Sequence, residues 1–160
     1  MKTIAQLLEE KLTTVLAGQP WYGTPIYTII DNVSFEAGFE KPGNGAHTIA
    51  EIVLHMLSWT EEVIDRINEK PASLPLSGDW PDTGTPTEER WQMWKDDLKL
   101  VNANLIKAIQ SLPEERWEQP IIDDRGTEPV TTYQELVEGF IQHQVYHAGQ
   151  IAILSKIIAG

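Results

Sequence analysis

Three of the four histidines in this chain fall where a helix would turn them to one interior. His143 and His147 are four residues apart, one helical turn, so both rings can reach a single ion about 2.0–2.1 Å from each nitrogen. They interrupt an otherwise apolar series, Leu136, Phe140, His143, His147, Ile151, Leu154 and Ile158, spaced by threes and fours. His55 holds the matching place in Ile52, His55, Trp59, Glu62 or Val63, and Arg66. Helical bundles build metal sites from side chains on facing helices in this way. The competing reading is core histidines satisfied by hydrogen bonds, or His55 and the pair facing different regions, and for a lone inward histidine that reading wins. Three unsatisfied imidazoles would each cost on the order of 1–3 kcal/mol, which a metal removes. The spacing therefore predicts one divalent transition-metal ion on His55, His143 and His147. His47 is expected at the surface or in a loop contact.

Three histidine ligands leave at least one coordination position open, as in catalytic rather than structural zinc sites. A metal-bound water has its pKa lowered towards about 7 and a metal-bound thiol is deprotonated, so the ligands suit hydrolysis and thiol transfer alike. Hydrolysis wants a carboxylate base. Glu51, four residues before His55 and on its face, is the catalytic candidate, in competition with a plain role as the helix-capping partner of Thr48. Gln150, three residues after His147, either orients that ring or is a surface amide. Tyr146 points about 100° away from His147. Trp59 reads as core or pocket wall, and Trp91 with Trp94 as packing, within the chain or at a dimer face. An all-imidazole site accepts Ni, Zn, Co or Fe.

The elements that must position these residues are marked by caps. Thr48 to Glu51, Thr85 to Glu88 and Thr132 to Glu135 follow the capping-box pattern, and Pro86 after Thr85 suits a first helical position. Long helices are predicted over Ile49 to Glu69, Pro86 to Ser111 and Tyr133 to Ile158, the last stopping at Ala159-Gly160. A first long helix precedes them from Thr3 to Ala17, with Gly18 as its stop. Between the first and second, Pro25 to Val33 and Ser34 to Phe39 could each form a short helical turn. Pro71 to Gly84, rich in proline and glycine, is long enough to cross the bundle lengthwise. The expected fold is all-α: a four-helix bundle with a long crossing connection between helices two and three, as one domain over residues 1–160.

Composition narrows the partners. Twelve Lys plus Arg against 24 Asp plus Glu give a net charge of −12, without a basic stripe for phosphates, so nucleic acid and anionic membranes are not expected. The chain has no cysteine, which excludes disulfides and a cysteine nucleophile, so thiol chemistry would need sulfur from a bound small molecule. No signal-like h-region follows Met1, and no run approaches the roughly 18 apolar residues of a membrane span. A cytoplasmic location is expected.

The segments His55-Met56-Leu57-Ser58-Trp59 and His143-Gln144-Val145-Tyr146-His147-Ala148-Gly149-Gln150, with Thr48-Ile49-Ala50-Glu51 ahead of the first, resemble the DinB/YfiT-like metalloenzymes. The likeness extends to the order of four helices and nearly the whole chain. It implies a bundle with a crossing connection, Ni, Zn or another divalent ion on His55, His143 and His147, and a homodimer. It also implies a small-molecule substrate: proteins of this kind transfer a low-molecular-weight thiol such as bacillithiol, mycothiol or glutathione to electrophiles, or catalyse thiol-dependent isomerisation. A thiol S-transferase of detoxification type is the leading expectation. A metal-dependent hydrolase and a non-catalytic metal- or small-molecule-binding stress protein are the alternatives.

Overall fold

The computed structural model describes residues 1–159; of the expected stop Ala159-Gly160, Ala159 is still helical and Gly160 lies outside the described residues. Among these described residues six helices follow in order: α1 (Ile4–Ala17), α2 (Ile26–Asp31), α3 (Phe35–Phe39), α4 (Ile49–Ile67), α5 (Glu88–Ser111) and α6 (Tyr133–Ala159), with one 3₁₀ turn at Glu114–Arg116. No strand occurs among the described residues, only an isolated bridge between Pro120 and Thr132. The chain is all-α.

The capping chemistry explains most boundaries. Thr48 Oγ1 accepts from Glu51 N, and Glu51 Oε2 accepts from Thr48 N at 2.6 Å, closing the expected box at α4. Thr132 and Glu135 close the same box at α6. A further box, Thr3 with Gln6, starts α1 and was not anticipated.

The α5 start differs from expectation. Thr87, not Thr85, caps the helix by accepting from Arg90 N, while the Thr85 carbonyl accepts from Arg90 Nη1. Thr85 precedes Pro86 and is biased towards extended backbone, whereas Thr87 places Glu88 and Glu89 in the first turn, against the positive end of the helix dipole. α4 also ends two residues early. Glu69 adopts φ 67°, so that Lys70 N reaches the Asp65 carbonyl and Glu69 N the Arg66 carbonyl, a Schellman closure with a non-glycine residue in the left-handed position.

α4 is the central element, buried around most of its girth by Ile49, Ala50, Ile52, Val53, Met56, Val63 and Ile67. It packs on α5 and α6, and α1 packs on the same two helices. α1 contributes Leu8, Leu12 and Leu16, and burial of such a leucine is worth roughly 1.5–3 kcal/mol. Trp91 and Trp94 are buried by their own chain: Phe39 packs on both rings, and Trp91 Nε1 donates to the Val33 carbonyl. They do not form an exposed dimer face.

The connection from α4 to α5 retraces α4 backwards. Ser73 N donates to Glu62 Oε2, Ser58 Oγ donates to the Gly78 carbonyl, Trp59 Nε1 donates to Asp79 Oδ1, and Trp80 stacks on His47. Its root is fixed by Ala72 N on the Ile122 carbonyl and by the buried pair Glu62–Arg66, whose guanidinium also donates to the Ser73 carbonyl. This strap, held by backbone and side-chain bonds, lies over the histidine-bearing half of α4.

Candidate metal centre

His55 is carried by α4, and His143 and His147 by α6, which packs against it. The three rings meet: His143 Nε2 lies 3.1 Å from His55 Nε2 and 3.0 Å from His147 Nε2. His55 and His147 are buried, and His143 is partly exposed. The fully buried stripe of α6 runs through Tyr133, Val137, Gln144, Ala148 and Ile151, so the histidine face flanks the core instead of lying at its centre. Gln144, an interior amide facing the Met56 carbonyl, was not anticipated.

The tautomers follow from the partners. The Asp79 carbonyl, 2.6 Å from His55 Nδ1, can only accept, so Nδ1 carries the proton and Nε2 presents its lone pair. Gln150 Oε1, 2.7 Å from His147 Nδ1, does the same for that ring. In the metal-free protein His143 Nε2 then donates towards the other two rings, and an ion bound there would need that proton moved to Nδ1. Burial, reinforced by the neighbouring His147 and His55, holds the His143 pKa down at about 4, and burial lowers that of His147. Near pH 7 these two rings are neutral, the form that ligates metals.

One ligand atom from each of His55, His143 and His147 lies within 4.8 Å of the other two, so one divalent ion could be held between them. The donor set fits such an ion: three converging imidazole nitrogens, with the remote nitrogen of two rings fixed by a carbonyl or amide oxygen, the usual outer support of metal-binding histidine.

The other anticipated residues separate. Gln150 is on the His147 ring. Glu51 is not among the converging groups: its carboxylate caps Thr48 and sits 3.5 Å from His47 Nδ1. Tyr146 is exposed, its ring edge-on to His147. Trp59 lies edge-on to His55 and His143.

Sequence reasoning missed Asp79 and Trp80. Trp80 stacks between two imidazoles, 3.6 Å from the His47 centroid at 7° and 3.9 Å from that of His55 at 10°. A lone tryptophan inside Gly78-Asp79-Trp80-Pro81 was the available signal, since a large apolar ring in a polar connector needs somewhere to bury.

The model of the DinB superfamily matches residues 26–151, and the chain belongs to that superfamily. The match takes in α2 through most of α6 and all three converging histidines. No curated protein and no solved structure matches the chain significantly. No helix among the described residues is long and apolar enough to cross a membrane.

Proposed function

We propose that this chain is a metal-dependent transferase in which His55, His143 and His147 hold one divalent transition-metal ion, Ni or Zn, and that it moves a low-molecular-weight thiol onto a small electrophile. The observation that carries the metal is the convergence of three Nε2 atoms, two with their remote nitrogens already committed. Bound there, the ion supplies a Lewis-acidic position that favours the deprotonated thiol. The thiol proton leaves to solvent, the sulfur pair forms the new S–C bond, and the leaving group departs with the electrons of its own bond.

The chain's own residues position and shelter this reaction. The Asp79 carbonyl and Gln150 orient two rings, while Trp80 and the strap cover one side of His55. Hydrolysis is the weaker reading, because Glu51, its candidate base, is committed to the cap of α4.

The same reading takes residues 1–160 as one four-helix bundle domain of α1, α4, α5 and α6, cytoplasmic and homodimeric, with the strap as its crossing connection. Supporting the crossing, Arg116, just beyond α5, pairs with Glu69, just beyond α4, so the C-terminal ends of both helices lie together.

The test incubates metal-loaded protein with bacillithiol or glutathione and an alkyl halide, against His147→Ala. Product formation above background that disappears in the variant supports transfer. Equal rates in both proteins would sink it.

A further inference from the structure

The groove between α4 and α6 is hollow on both sides of the histidine cluster. Towards the C-terminal end of α4, a cavity of about 340 Å³ is lined by Trp59, Val63 and Arg66 from α4 and by Glu135, Phe140 and His143 from the α6 side. Towards the N-terminal end of α4, a second cavity of about 460 Å³ is lined by His47, Ile52 and Trp80 on one side and by Tyr146, His147 and Leu154 on the other. They share no lining residue. One reaches the cluster at His143 and the other at His147. Both volumes lie at the small end of small-molecule sites.

Their chemistry differs. The His143 cavity has both signs of charge in its wall. Arg66, 5.6 Å from the Trp59 ring, gives Nε to Glu62 and Nη2 to the Ser73 carbonyl. Glu135 Oε1 accepts from Thr132 N and Thr132 Oγ1. Among the described residues Arg66 Nη1 and Glu135 Oε2 have no hydrogen-bond partner, and both residues line this cavity with Leu136 and Phe140 as apolar wall. The His147 cavity carries no Lys, Arg, Asp or Glu, and its walls are mainly aromatic and aliphatic.

We infer that the centre takes two ligands at once from opposite ends of the α4–α6 groove: a zwitterionic, amino-acid-like molecule on the His143 side and an uncharged aromatic or aliphatic molecule on the His147 side. The first sets its carboxylate on Arg66 and its ammonium on Glu135, and the second is held by burial alone. This deepens the transfer reading on which it rests, because a transfer joins two molecules at one centre and needs both present together.

Each cavity can be filled without touching the other. The Cβ of Gly139→Leu would meet nothing within 4 Å, and leucine is a better helix former than glycine. Ile153→Trp enlarges an exposed side chain that lines the second cavity. The probes are S-methyl-L-cysteine, a zwitterion whose sulfur cannot become a thiolate, and indole, both titrated by NMR into metal-loaded protein. Metal content and thermal unfolding confirm that each variant is folded.

The expected result is at least tenfold weaker S-methyl-L-cysteine binding in Gly139→Leu with indole unchanged within twofold, and the reverse in Ile153→Trp. Wild type should bind both probes together. Mutual exclusion of the probes, equal weakening of both in either variant, or no saturable binding of one of them would overturn the inference. Thiol-transfer turnover with mutually exclusive probes would overturn the two-ligand centre and leave the transferase standing. A ternary complex without thiol-transfer turnover would do the opposite.

Discussion

Gln150→Ala isolates the contribution of a single oriented ring. His147 is only 4% exposed, and its Nδ1–H has the Gln150 amide oxygen at 2.7 Å as partner. Removing the acceptor strands a buried donor, which costs about 1–3 kcal/mol of stability. That loss is shared by metal-free and metal-bound protein, because Nδ1–H needs an acceptor in both. What falls on metal affinity alone is the orientation and basicity of the ring, for which such outer partners are worth about 10–100-fold. With two other ligands untouched, the lower end is expected: about tenfold, or ~1.4 kcal/mol. Gln150→Glu keeps an acceptor and makes it anionic, so its affinity should equal or exceed wild type. Competition with a chromogenic chelator measures all three proteins. An alanine variant within twofold of wild type, or a glutamate variant as weak as alanine, refutes the reasoning.

Acid should loosen the metal-free protein. With the folded His143 pKa lowered from 6.5 to about 4, the unfolded chain binds more protons between those values. The stability this ring contributes is complete above about pH 6.5 and erodes as pH falls towards 4; partial exposure limits the loss to on the order of 1–2 kcal/mol. Urea unfolding at pH 7 and pH 4.5 measures it, and a His143→Gln variant with the same loss would remove His143 as the cause. Glu62→Ala leaves the Arg66 guanidinium buried without its carboxylate and should cost about 3–5 kcal/mol, while Glu62→Met with Arg66→Met recovers most of it in the same assay. Trp80→Ala removes the stack that pins the strap to His55, so limited proteolysis within 74–80 should accelerate and metal affinity fall about tenfold, with Trp80→Phe close to wild type. Unchanged cleavage in the alanine variant would mean that hydrogen bonds alone hold the strap.

The sequence carried the long helices because their caps are local. Thr48 with Glu51 and Thr132 with Glu135 need only four residues to announce a helix start, and periodicity does the rest. Thr85 misled because two threonines compete around Pro86, and the choice depends on which places acidic residues in the first turn. Periodicity carries α4 two residues past its end because a glutamate in the left-handed position has no signature comparable to glycine. His143 and His147 were legible as a pair because one helix fixes their spacing, whereas Asp79 and Trp80 meet His55 through a loop whose path is set by distant anchors, Ala72 on Ile122 and Ser73 on Glu62. No periodicity encodes such a path. Glu51 illustrates the converse: spacing put it on the histidine face, and a hydrogen bond to its own helix start claimed the carboxylate first.

X-ray absorption fine structure of the protein loaded with one equivalent of Ni or Zn tests the centre most directly. One ion per chain with three imidazole nitrogens near 2.0–2.1 Å is expected, falling to two in His55→Ala. A first shell without imidazole, or an imidazole count that His55→Ala leaves unchanged, would contradict it.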